Sequence, residues 1–143
     1  MEDYQISKNI FIETPLIESE PLSKLVKRPV FLKLENLQPS GSFKLRGLSR
    51  LCQEAVEKGY KKLISSSGGN AGLAVKYIAN KLNLSATIIV PEVTSQNIVD
   101  ALAGDGIDVI RHGSVWNIAD EKAQELAKTL GIFYVTPFDH PTI

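Results

Sequence analysis

The sequence predicts an α/β fold, an open parallel sheet with flanking helices, on three observations. Helical and strand patterns alternate from Gly41 onward, with short turn signals between them. Ala86 to Val90 is a β-branched, almost wholly apolar run closed by Pro91, as suits a strand buried on both faces. The run Ser65-Ser66-Ser67-Gly68-Gly69-Asn70 joins a strand end to a helix start, the usual place for a ligand in such a sheet.

The elements follow in order. A first helix is expected from about Phe43 to Lys58, because Leu48, Leu51, Cys52, Ala55 and Val56 recur at helical spacing. Ser42 is its expected N-cap and Gly59 its stop. Lys62 to Ser66 reads as a short strand, and a second helix follows with Ala71, Ala74, Val75, Ile78, Ala79 and Leu82 on one face. After the strand Ala86 to Val90, Thr94 or Ser95 is expected to cap a helix reaching Gly104. Strands are predicted at Asp108 to His112 and Ile132 to Val135, joined by a helix from about Asn117 to Leu130 that turns Ala119, Ala123, Leu126, Ala127 and Leu130 inward. The flanks stand outside this array: Thr14-Pro15-Leu16 and strand-like Val30 to Leu34 before it, Pro137 to Ile143 after it. They read as pieces of a second domain whose remainder is absent.

Composition narrows the function. Sixteen Lys and Arg balance sixteen Asp and Glu, so there is no basic stripe to follow a phosphate backbone, and nucleic acid is not an expected partner. The single cysteine, Cys52, has no internal partner and no histidine cluster for zinc; it is expected in the core, in a reducing compartment. The start MEDYQISKNIF lacks a signal or transit pattern, and no apolar run approaches the ~20 residues that span a bilayer. A cytoplasmic protein without a membrane partner is expected.

Two places could carry chemistry. Lys44 falls in the first turn of a helix, where the dipole disfavours a cation, and Arg46 adds a positive charge nearby; both favour the neutral amine that condenses with an aldehyde. Taken alone, a lysine is more often a solvated surface residue. The loop Ser65 to Gly72 offers backbone N–H groups and a helix N-terminus to an anion, although a Gly/Ser-rich turn is often just a tight connection. It matches neither a Walker loop nor a dinucleotide fingerprint. His112 and His140 read as surface histidines, and Phe43 and Trp116 as packing residues.

Read together, Glu35-Asn36-Leu37-Gln38-Pro39-Ser40-Gly41-Ser42-Phe43-Lys44-Leu45-Arg46-Gly47 resembles the cofactor-lysine segment of fold-type II pyridoxal-phosphate enzymes. In that family the lysine follows Ser-Phe and a Ser-Gly-Asn-type loop comes later; here 26 residues separate Lys44 from Asn70. The loop Ser66 to Gly72 and the tail Pro137-Phe138-Asp139-His140-Pro141 look most like the L-serine/L-threonine dehydratases. The resemblance implies a lyase of amino-acid catabolism, converting a small amino-acid substrate to ammonia and pyruvate or 2-oxobutanoate. It implies that Lys44 carries pyridoxal 5'-phosphate as a Schiff base, that Phe43 packs on its ring, and that Asn70 bonds its phenolic oxygen. Ser67, Gly68, Asn70 and Ala71 would receive the substrate.

It further implies a division of the chain. Residues 1–37 would open a large cofactor-binding domain, residues 38–136 form a small α/β domain, and residues 137–143 begin the return. The phosphate-gripping loop and the partner of the pyridine nitrogen would lie downstream, making the chain an incomplete N-terminal part. A homodimer is an option for the complete protein. Two alternatives stay open: a related fold-type II enzyme, either a β-replacement synthase or a serine racemase, and a truncated, non-catalytic α/β binding domain.

Overall fold

A computed structural model describes residues 10–143; the leader reading for residues 1–9 lies outside the described residues. Strand β1 (Leu16–Glu18) pairs antiparallel with β2 (Phe31–Lys33), and α1 (Glu20–Val26) lies between them in sequence. The sequence reading left α1 out: the helix is short and buries none of its residues, so it carries almost no apolar signature. Leu16, Leu25 and Phe31 are all exposed.

The second sheet is parallel and four-stranded. It contains β3 (Lys62–Ser65), β4 (Ser85–Val90), β5 (Ile107–Arg111) and β6 (Phe133–Tyr134), in the order β5-β4-β3-β6. Helices α2 (Lys44–Glu57), α3 (Asn70–Lys81), α4 (Gln96–Leu102) and α5 (Trp116–Leu130) complete the array. The chain steps from β3 to β4 to β5 in one direction, then α5 returns it to the far side of β3. The order therefore reverses between β3 and β6, and the crevice beyond the carboxyl ends there is where open α/β sheets bind ligands.

Alternate residues of the strands serve two cores. Leu63 and Ile88 join Leu48, Leu51, Val75 and Ile78 on the α2–α3 face, whereas Ile64 and Ile89 pack on Ala119, Ala123 and Ala127 of α5. Each fully buried Leu or Ile contributes about 1.5–3 kcal/mol relative to exposure. The alanines at four-residue spacing let α5 lie close to the sheet.

Several boundaries differ from expectation for identifiable reasons. The helix expected from Phe43 starts at Lys44, and Ser42 does not cap it: the Ser42 hydroxyl is buried with no partner, and Phe43 precedes the helix in αR conformation. Gly59 does end it, at φ 86°, with Tyr60 N–H donating to Ala55 O and Gly59 N–H to Val56 O. Helix α4 stops at Leu102 rather than Gly104, and Ser95 occupies its cap position without a side-chain bond. Leu130 faces solvent, 63% exposed, because it lies in the last turn, beyond the sheet.

Candidate active site

The candidate residues lie at the carboxyl edge of the parallel sheet, where the order reverses between β3 and β6: the Lys44 amine reaches the chain leaving β6, and the loop into α3 leaves β3. Lys44 is the first residue of α2, and its Nζ donates to the Pro137 carbonyl at 2.5 Å, three residues past the end of β6. The amine lies 5.5 Å from the Phe43 ring centroid and 5.4 Å from that of Phe138. Phe43 is 58% exposed, so it presents a free ring face beside the amine instead of packing into the core.

Arg46 does not crowd Lys44 as the sequence suggested. Its guanidinium forks onto Glu35, Nε to Oε2 at 2.8 Å and a terminal nitrogen to Oε1 at 2.7 Å. Arg46, then the Thr14 hydroxyl and Gln38, hold the Glu35 carboxyl down to about 2. Gln38 also exchanges bonds with the Ile12 backbone at 3.0 and 2.8 Å. This clamp ties the segment before β1 to the start of α2, and so fixes where Lys44 stands.

The loop Ser67 to Ala71 follows β3 and enters α3, whose first backbone N–H groups have no acceptor within the helix. The Gly69 N–H turns back to Ser67 Oγ at 3.3 Å, and Asn70 is exposed at the first helical position. Gly68 and Gly72 play different parts. A Cβ at Gly68 would meet Thr94 Cγ2 at 3.4 Å, an ordinary contact, whereas one at Gly72 would stand 2.1 Å from the Ser67 carbonyl oxygen. Gly72 is thus the residue that lets the loop backbone lie against α3.

Side chains to which the sequence reading assigned no role in the site connect the two places. Trp116 donates its indole N–H to the Ser66 carbonyl at 2.7 Å, and its ring meets Phe138 edge-on at 5.0 Å. Phe138 in turn flanks the Lys44 amine. Beneath the loop lies Asp120, 8% exposed, with Oδ1 accepting from the Ser66 and Tyr134 hydroxyls and Oδ2 from Gln124 at 2.7 Å. Burial, then the bond to Asp120, pushes the Tyr134 hydroxyl up to about 12. The sequence held one signal for this network: a carboxylate at position 120, beside Ala119 on the face that carries Ala123 and Ala127 inward. Trp116 carried no such signal, since its partner Ser66 lies 50 residues away.

Cys52 is buried on α2, where loss of solvation pushes its thiol up to about 12; it belongs to the core, as its helical position predicts. His112 and His140 are half-buried. Among the described residues no helix is long and apolar enough to cross a membrane.

The chain is similar in sequence and fold to known proteins. The family model described as "Pyridoxal-phosphate dependent enzyme" matches residues 8–143. "Serine dehydratase-like" from Homo sapiens is 54% identical over 132 residues, covering 92% of this chain and 40% of that protein. "L-serine dehydratase/L-threonine deaminase" from Mus musculus is 40% identical over 95% of this chain and 42% of its own. Among solved structures, a fungal L-serine ammonia-lyase from Rhizomucor miehei superposes with a TM-score of 0.85 at 36% identity, over 94% of this chain and 43% of the other. The chain therefore spans about two fifths of the length of the relatives it matches.

Proposed function

The chain belongs to the pyridoxal-phosphate-dependent enzyme family, and we propose that the protein is an L-serine/L-threonine dehydratase, a lyase releasing ammonia and pyruvate from L-serine or 2-oxobutanoate from L-threonine. The observation that carries this reading is the placement of Lys44. Its amine lies 5.5 and 5.4 Å from the centroids of two aromatic rings, at the carboxyl edge of the sheet from which the loop into α3 also leaves. The names of the human and mouse relatives and of the fungal structure support the same reaction.

The residues present fit the ring and aldehyde end of the cofactor. A primary amine, the exposed ring face of Phe43 and the unpartnered Ser42 hydroxyl two residues away supply an attachment point, a stacking surface and a spare polar group. Lys44 would hold the cofactor, Phe43 would pack on it, and Asn70 would bond its phenolic oxygen. When bound, pyridoxal phosphate supplies the electron sink for charge developing at the substrate Cα.

The rest is the chain's own work. The backbone N–H groups of Gly68 and Ala71 and the Ser67 hydroxyl receive the substrate carboxylate, favoured by the positive end of the α3 dipole. With the carboxylate fixed, the Cα–H bond faces the Lys44 amine, which removes the proton as a tethered base at high effective concentration. The β-hydroxyl leaves as water, and hydrolysis returns one water as ammonia departs.

The proposal extends to organisation. Residues 1–37 and 137–143 belong to a larger cofactor-binding domain, residues 38–136 form the small domain, and the complete protein acts as a homodimer in cytoplasmic amino-acid catabolism. The exposed Leu16, Leu25 and Phe31 support a covering domain, and the free Cys52 suits a compartment that keeps thiols reduced.

The test uses the full-length protein with L-serine and L-threonine. Formation of 2-oxo acid and ammonia, together with loss of both the visible cofactor band and turnover in Lys44→Ala, supports the reading. D-Serine as main product would make it a racemase, and cysteine formed when sulfide is added would make it a β-replacement synthase.

A further inference from the structure

We infer that Asp120 is a positioning residue that sets the substrate-carboxylate loop through Ser66; this rests on the proposed role of that loop. Ser66 is wholly buried and directly precedes Ser67, the first residue assigned to the carboxylate. It is held at both ends by one helix. Trp116 of α5 donates to its carbonyl at 2.7 Å, and Asp120, one turn later on α5, accepts from its hydroxyl. The neighbouring Ser65 hydroxyl donates to Val135 O at 2.8 Å, tying the end of β3 to the chain leaving β6. The peptide entering the loop thus has its hydroxyl and its carbonyl each fixed by a separate partner.

The chemistry of Asp120 points to position rather than stability. Its partners are three neutral donors, the Ser66 and Tyr134 hydroxyls and the Gln124 amide, with no cation bridging it among the described residues. A buried carboxylate so arranged gains little over an apolar residue of similar size, since desolvation opposes the bonds it makes. What an acceptor-only group provides is orientation: the hydroxyl of Ser66 has one direction in which to donate. A bound carboxylate requires the N–H groups of Gly68 and Ala71 to converge, and convergence fails if the peptide at residue 66 rotates.

The experiment uses the full-length holoenzyme and five variants. Ser66→Ala and Asp120→Ala are expected to raise KM for L-serine about tenfold or more, with kcat and the cofactor band nearly unchanged. The double variant should match Asp120→Ala alone, because both remove one interaction. Asp120→Asn, which keeps an acceptor oxygen, should retain the wild-type KM. Tyr134→Phe removes another donor from the same carboxylate oxygen and should leave KM unaltered. In parallel, hydrogen exchange should accelerate at residues 67–71 in Ser66→Ala while β3 and α5 keep their protection. Additive effects, an equal rise in KM for Tyr134→Phe, or unchanged KM and exchange in Ser66→Ala would overturn the inference. If Asp120→Ala does not fold, Ser66→Ala decides. If the wild-type protein does not convert L-serine, the proposed reaction falls and the exchange arm alone judges the inference.

Discussion

Adding a single methyl group at position 72 should separate the packing role of the loop glycines from their proposed ligand role. In Gly72→Ala the new Cβ would stand 2.1 Å from the Ser67 carbonyl oxygen, 3.2 Å from its carbon and 3.0 Å from Leu102 Cδ2. The first contact is with backbone, so Ser67 must move by roughly an ångström to reach normal van der Waals separation. Overpacking of this kind costs about 1–3 kcal/mol, against a gain of up to about 1 kcal/mol from alanine's helix propensity. A net loss of about 1–2 kcal/mol is expected, read as a lower midpoint in denaturant unfolding at unchanged slope. In Gly68→Ala the nearest atom is Thr94 Cγ2 at 3.4 Å, so stability should stay within about 0.5 kcal/mol of wild type. If the Gly68 backbone receives the substrate carboxylate as proposed, that substitution should instead raise KM for L-serine about tenfold, because a side chain there limits how closely a ligand approaches the backbone. A Gly72→Ala protein as stable as wild type would refute the close approach of Ser67 to α3. A Gly68→Ala protein with unaltered kinetics would refute carboxylate binding at the loop.

Other outcomes follow from the same geometry. Burial and the bond to Asp120 push the Tyr134 hydroxyl from its ordinary value of 10.0 up to about 12 in the folded protein. The stability this represents is complete below pH 10, where both states hold the proton, and is lost as pH rises through the folded value. Urea melts between pH 9 and 12 should show that decline, and Tyr134→Phe should flatten it. Glu35 behaves in the opposite sense: its carboxyl is held at about 2 against 4.5, so its contribution is present above pH 4.5 and lost as pH falls through 2. Glu35→Gln should remove that acid-side dependence, and an unchanged profile would show that the Arg46 clamp is not formed in solution. Cys52 should resist thiol reagents in the folded protein and react fully in denaturant. Trp116→Phe leaves the Ser66 carbonyl without its donor and should cost about 1–3 kcal/mol in unfolding free energy.

The local pattern of the chain carried most of the fold and half of the candidate site. An apolar run such as Ala86 to Val90 has one stable use, a strand covered on both faces, and helical spacing of Leu48, Leu51, Cys52 and Ala55 has another; these are properties of neighbours in sequence. The same holds for Lys44 at a helix start and for the glycine-rich turn after β3, since a helix N-terminus and a flexible backbone are local features. The link from Lys44 to the loop, through Phe138 and Trp116, was not local. It required β6 to return next to β3, which follows from sheet order and brings Pro137 and Phe138 to the amine across 93 residues. The pairing of Arg46 with Glu35, the exposed ring of Phe43 and the bond from Trp116 to Ser66 were decided the same way. So was the use of Asp120, whose residue type signals only a charge until three hydroxyl and amide donors surround it. Sequence sets which backbone groups need partners and which faces need cover; only tertiary packing settles who supplies them, because one burial pattern is compatible with many partner choices.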